Sequence, residues 1–266
     1  MTRRRVFNRT HLAVGFILTF LVGWFSFAYY GYANQVLIVD IQGTIVDFEA
    51  TTLALYSAKM DRNVKAVILY LNTPGGMAYP CLEIATYVEA LAEEKPVIAV
   101  MGAQCTSGGY YIASFATHVY ARENTLTGGV GVISVWVDLS AYYEQQGIKI
   151  WVWQKGEEKD LGADWRSPTE AENASIQAEV DALFVKLIRD VTTNRNETLA
   201  EPAQSILRSG AVVLGAEAKA LGLVDDIGNL INAVEKTVSL EMAGLWRFII
   251  VTADMTETQK FLQALF

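Results

Sequence analysis

Histidine and cysteine are scarce in this 266-residue chain, with two of each, and proline appears five times. Cys81 and Cys105 do not make a C-x-x-C pair, so their spacing offers no zinc site, and no metal or organic cofactor is expected. The two thiols can instead form a disulfide if the domain lies outside the cytoplasm and their Cα atoms come within about 7 Å. Twenty glycines are present, yet no G-x-x-x-x-G-K-[ST] or G-x-G-x-x-G string occurs, which argues against a nucleotide phosphate cradle. Basic residues thin out after residue 32, where 17 stand against 29 acidic ones for a net charge of about −12. Such a surface argues against partners made of nucleic acid or anionic lipid headgroups. There is no internal repeat, no low-complexity tract and no clear linker beyond the polar juncture at residues 33–35.

Apolar residues, by contrast, make up 52% of the chain, and the mean hydropathy is +0.24. Residues 12–32, LAVGFILTFLVGWFSFAYYGY, are 21 consecutive uncharged positions, close to the ~20 that cross a bilayer core. Arg3, Arg4, Arg5 and Arg9 precede the run and orient the N-terminus toward the cytoplasm, while Trp24, Tyr29, Tyr30 and Tyr32 crowd the distal lipid–water boundary. The expected organisation is a basic cytoplasmic segment (1–11), a transmembrane anchor (12–32) and an extracytoplasmic domain (33–266) at the cell membrane. A cleaved signal peptide, with Gly31 and Ala33 before the cut, is the competing reading. The anchor is preferred because the run exceeds the usual ~7–15-residue apolar core of such signals.

Beyond the anchor, short β-branched runs alternate with amphipathic stretches. QVLIVDIQG, VKAVILYL, PVIAVM, THVYA, GGVGVISVW and IKIWVW read as strands. YPCLEIATYVEALAEE, SGGYYIASFA and DLSAYYEQQG read as helices, and SPTEAE opens a long helix with Ser167 as its cap and proline at the first helical position. The tail after Trp246 reads as a short strand and an amphipathic end. This βαβ rhythm predicts one α/β domain, in which chemistry gathers beyond the carboxyl ends of the strands. Three glycine-rich loops follow strands: NTPGGMA (72–78), GAQCTSGG (102–109) and TLTGGVGVIS (125–134). If their strands are neighbours, the loops share one cleft. Ser107 then either caps a helix or attacks a carbonyl, with the uncovered N–H groups beside it available to an oxyanion.

A nucleophilic serine needs a base. His11 precedes the membrane run and His118 starts a strand, so lysine is the remaining choice, as in Ser-Lys hydrolases. A lysine must lose its proton some three pH units below its ordinary ~10.4, which costs roughly 4 kcal/mol and calls for burial. WQKGEEKDLG offers Lys155 and Lys159, and spacing does not choose between them.

TSGGYYIA, NTPGG, TLTGGVGVI, KGEEKDLG with SPTEAE, and GAVVLGAEAKALGLVDDIG, in this order over about residues 35–235, resemble the signal peptide peptidase A family of membrane-anchored, S49-type Ser-Lys peptidases. The resemblance implies a ClpP/crotonase-like fold, Ser107 as nucleophile and Lys159 as general base. It also implies oxyanion donors at Gly76 and Gly108, and substrate contacts at Gly75, Thr127, Gly128 and Gly129. It further implies a homo-oligomeric ring whose serine and lysine come from adjacent subunits in short members, and signal-peptide remnants as substrates. Gly129 stands where the family usually has a lysine-orienting serine, and Thr127, Ser134 or a water molecule are the candidate replacements. A catalytically impaired scaffold that organises membrane partners is the alternative; acyl-CoA chemistry fits poorly with an exported domain.

Overall fold

The computed structural model describes residues 9–33, 35–195, 199–240 and 247–252. Arg9–Ala33 is helix α1, but its side chains are described only for residues 14–26. Among the described residues no helix is long and apolar enough to cross a membrane. The expected anchor extends past that window. Arg3, Arg4, Arg5, the rings of Tyr29, Tyr30 and Tyr32, and the amphipathic end after residue 252 lie outside what is described.

The elements that follow alternate as expected. They run β1 (Gln35–Gln42), α2 (Glu49–Met60), β2 (Val64–Thr73), α3 (Ala78–Ala92), β3 (Val97–Thr106), α4 (Gly108–Ala113), β4 (His118–Ala121) and β5 (Leu126–Gly128). Then come α5 (Ser140–Gln145), α6 (Glu170–Asn194), α7 (Glu201–Ser209), β6 (Val212–Leu214), α8 (Gly215–Ala220), β7 (Asp226–Ile227), α9 (Leu230–Leu240) and β8 (Arg247–Thr252). The sheet runs β6-β5-β3-β2-β1-β8, with β4 paired to β3 and β7. Every pairing is parallel except β5 with β6.

Both faces of the central strands are covered, which is why they read as unbroken apolar runs. Leu37, Val39, Leu69, Val97 and Met101 face a core shared with α2, α3, α4 and α6. Val36, Ile38, Ala66, Ile68 and Ile98 face a smaller cluster closed by Ala233 and Val234 of α9. β3 serves two partners in succession, β4 along 98–100 and β5 along 104–106. The change of partner falls at an irregularity opposite Leu71 and Thr73. There Asn72 Oδ1 accepts the N–H groups of Ala103 (3.1 Å) and Gln104 (3.3 Å), satisfying backbone that the ladder leaves open.

Three local expectations are corrected. GGVGVISVW is not a strand: Gly128 and Gly129 take positive φ (79° and 64°), which ends β5, and residues 129–139 have no ladder partner among the described residues. IKIWVW is likewise outside any ladder, since β-branched and aromatic residues make a strand only against a neighbour. The long helix begins at Glu170, two residues after Pro168. Thr169 is its cap, accepting the Glu172 N–H (3.2 Å) while Glu172 accepts the Thr169 N–H (2.8 Å), and this reciprocal pair outcompetes Ser167.

Candidate active site

The parallel order β5-β3-β2 brings the three glycine loops together, as the loop pattern predicts. The Ser107 N–H donates to Gly128 O at 2.8 Å, joining the second loop to the third. Thr106 Oγ1 donates to Pro74 O at 3.1 Å, joining it to the first. Gly75 is pressed onto the pair: a Cβ there would lie 2.8 Å from Gly108 N and 2.9 Å from Ser107 Cβ.

Ser107 sits between β3 and α4 and does not cap the helix with its side chain. Its backbone is at φ 53° and ψ −124°, and it alone among the described non-glycine residues has a positive φ. Such a conformation costs about 1–3 kcal/mol and persists only where the surroundings impose it. Its hydroxyl has no hydrogen-bond partner among the described residues and lines a cavity of about 410 Å³. Gly76 and Gly108 line the same cavity, and neither N–H donates a hydrogen bond among the described residues. A Cβ on Gly76 would fall 1.9 Å from Ile45 O, and one on Gly108 would fall 2.3 Å from Cys81 Sγ and 3.7 Å from Gly76 N. Only glycine fits at either place, and the two amides share one side of the cleft.

The rest of the wall carries no charged side chain: Thr44, Pro74, Met77, Ala78, Cys81, Leu82, Tyr111, Val132, Ile133, Leu183 and Leu187. Of the aromatic and branched residues in and beside the glycine loops, Tyr111 and Val132 line it. Tyr110 and Val130 are core, Tyr110 donating to Leu223 O at 2.9 Å, and Tyr79 lies exposed against Phe48. Leu183 and Leu187 of α6 were not singled out by the sequence. Their four-residue spacing marks one helix face, but not what the face covers.

Both cysteines are free thiols held in the core. Burial pushes the Cys81 thiol up to about 11 and the Cys105 thiol well above its ordinary value. His118 lies elsewhere, 3.3 Å from Asp226 Oδ2 and edge-on to Tyr120, and does not line the cavity.

Lys159 and Lys155 are both exposed in the turns at 155–162, and neither lines the cavity within one chain. The nearest lining from that loop is Leu161 and Gly162, in a second groove that shares Ala78, Val132, Ile133 and Leu183 with the first. The loop is built around Arg166. Its guanidinium binds Asp160 (2.7 Å) and Glu172 (2.6 Å) and stacks on Trp136 at 5.2 Å. The Arg166 hydrogen bonds hold both carboxyls down at about 2. Thr127 points into the core, donating to Met101 Sδ, so it does not replace the missing serine at Gly129. Ser134 is exposed in the second groove.

The chain is similar to curated proteins over most of its length. It is 32% identical over 234 residues to Protease 4 of Haemophilus influenzae, covering 80% of this chain and 36% of that protein. It is 32% identical over 176 residues to a putative signal peptide peptidase SppA of Enterococcus faecium, covering 66% and 51% respectively. The chain thus spans about a third to a half of these relatives. Among solved structures, the 1510-N membrane protease specific for a stomatin homolog from Pyrococcus horikoshii superposes with a TM-score of 0.52 at 17% identity, covering 87% of this chain and 98% of that one. A lysine-to-alanine mutant of the 1510-N protease in complex with a substrate peptide gives 0.54 at 18% identity, covering 87% and 97%. These likenesses establish the ClpP-like α/β fold. Residues 89–243 match the profile of Peptidase family S49, and with the 32% identity to Protease 4 the chain belongs to that family.

Proposed function

We propose that this protein is a membrane-anchored serine endopeptidase, with Ser107 as nucleophile and Lys159 of a neighbouring protomer as general base. The reading rests on one observation above the rest: an unpartnered serine hydroxyl, on a backbone turn only its surroundings can hold, opens into an uncharged cavity beside two unengaged glycine N–H groups. In the reaction Lys159 Nζ takes the Oγ proton as Oγ attacks the scissile carbonyl carbon. The oxyanion accepts from Gly76 and Gly108 N–H, donors best placed at ~2.7–3.1 Å. The amide nitrogen leaves with the proton from Nζ, and a water activated by the same amine hydrolyses the acyl-enzyme. Gly75, Gly128 and Gly129 border the substrate backbone, and the apolar wall favours an uncharged side chain, in keeping with signal-peptide remnants or other membrane-associated peptides.

The exposed position of Lys159 and the apolar surface around it support a site completed by a second protomer. Trp151 and Trp153, on the run leading into the Lys159 loop, are 73% and 87% exposed, and Ile133, which lines the second groove with Leu161, is 87% exposed; apolar residues grouped on a surface mark contact sites. Residues 12–32 would tether the assembly with its peptidase domain outside the cytoplasm.

The test is a pair of point variants. Ser107→Ala and Lys159→Ala should each abolish cleavage of an unfolded protein substrate by the full-length enzyme in detergent. A mixture of the two should regain part of the activity, because a mixed ring contains some sites with both groups intact. Turnover retained in both single variants rejects the assignment. Gly129, which offers no hydroxyl to orient an amine, favours the second reading, a scaffold without activity. A serine-reactive fluorophosphonate that fails to label Ser107 in assembled wild-type protein would decide for it.

A further inference from the structure

Tyr111 is held at both ends. Its N–H donates to Ser107 O at 2.9 Å, one helical turn from the nucleophile. Its ring is 2% exposed and forms part of the cavity wall. Its hydroxyl leaves α4 altogether and donates to Asp190 Oδ2 on α6 at 2.8 Å. A wall of apolar side chains needs no hydroxyl, and a phenylalanine would fill the same volume. The extra bond therefore calls for a reason.

Asp190 is itself fixed on three sides. It accepts from Tyr111, from Lys186 one turn earlier on α6, and from Arg189 at 3.0 Å. Its side chain is 15% exposed. Burial pushes the carboxyl up, and the bonds from Lys186, Tyr111 and Arg189 outweigh that and keep it below its ordinary value. It is thus a charged, oriented acceptor at neutral pH. Leu183 and Leu187, on the same stretch of α6, line the same cavity as Tyr111. The Tyr111 hydroxyl also accepts from Lys186 Nζ at 3.4 Å and the ring packs edge-on to Phe115, but the Asp190 bond is the shortest directional tie between the ring and α6.

We propose that Asp190 is a positioning residue for substrate selection: through the Tyr111 hydroxyl it fixes the wall of the Ser107 cavity and so the size of apolar side chain accepted next to the scissile bond. The inference rests on the peptidase reading. Without Asp190 only the longer Lys186 contact ties the hydroxyl to α6, that part of the wall can yield and a bulkier side chain is admitted. A single methylene in an apolar pocket is worth about 10–200-fold in kcat/KM, and leucine and phenylalanine differ by more than that, so the effect is large enough to read.

The experiment compares kcat/KM for two peptides, differing only in leucine or phenylalanine on the carbonyl side of the cut, with full-length assembled enzyme. Asp190→Ala and Tyr111→Phe should each shift the ratio toward phenylalanine by about tenfold. The double variant should shift it no further, and Asp190→Asn, which keeps an acceptor oxygen, should retain the wild-type ratio. A loss of packing alone would lower both rates together and leave the ratio in place. Fluorophosphonate labelling of Ser107 is followed in every variant. Labelled variants with an unchanged ratio, or single shifts that add in the double variant, overturn the inference and leave the peptidase reading standing. Wild-type protein that does not label sinks the peptidase reading, and the inference with it. Tyr111→Phe carries the test by itself if Asp190→Ala does not fold.

Discussion

The positive φ of Ser107 has a measurable consequence for stability. Alanine at this position keeps the Cβ and therefore the strain, whereas glycine adopts φ 53° freely. Ser107→Gly should be more stable than Ser107→Ala by about 1 kcal/mol, and so unfold at a higher temperature, once the greater chain entropy of unfolded glycine is set against the relieved strain. Thermal unfolding of the two variants checks this, and equal midpoints would mean that the strain is no larger than the entropy that glycine adds to the unfolded chain. Gly76→Ala should be among the most damaging single methyl additions in the protein, because its Cβ meets the main-chain oxygen of Ile45 at 1.9 Å and backbone cannot rotate aside. The same clash at Gly108 involves a side chain, Cys81. Cys81→Ala should therefore recover part of the stability lost in Gly108→Ala.

At the level of elements, the loop carrying Lys159 depends on Arg166. Asp160 and Glu172 have carboxyls depressed to about 2 by that guanidinium. A carboxyl whose folded value lies below its unfolded one of about 4 stabilises the fold above pH 4 and loses that contribution as pH falls toward 2. The loop should thus stay ordered at pH 5 and loosen below about pH 3, seen as increased proteolytic nicking within residues 155–165 and a change in Trp136 fluorescence. Arg166→Ala should produce the same nicking at neutral pH. None of this was legible in the sequence, where the stretch reads only as a charged loop. Arg166 binds partners six residues away on either side, a spacing that no helical or strand period announces. The strands β1, β2 and β3 were legible because burial on both faces leaves continuous apolar runs. The two runs misread as strands, 128–136 and 148–153, have the same composition without a neighbouring strand. Sequence alone cannot distinguish an apolar segment covered by its own sheet from one left for another surface.

For the whole molecule, the exposed apolar residues Ile133, Trp151 and Trp153 predict self-association. Trp151→Glu with Trp153→Glu should lower the sedimentation coefficient of detergent-solubilised protein to that of a monomer and remove proteolysis, while leaving the sheet intact by circular dichroism. A double variant that stays assembled and active would separate these tryptophans from any protomer contact. The parts of the site that the sequence located, Ser107 with Gly75, Gly76 and Gly108, are those built by loops of a single sheet. Lys159, the proposed base, does not line that cavity within one copy of the fold.

The distance kept between Lys159 and the cavity has a meaning for the life of the protein in the cell. Under the proposed dyad and membrane anchor, a freshly made chain is harmless to its neighbours, because it holds the nucleophile and the proton acceptor on separate surfaces. Hydrolysis switches on only when copies meet, so its onset should rise more steeply than copy number, and confinement to a plane would make that meeting far more frequent than free diffusion in a volume.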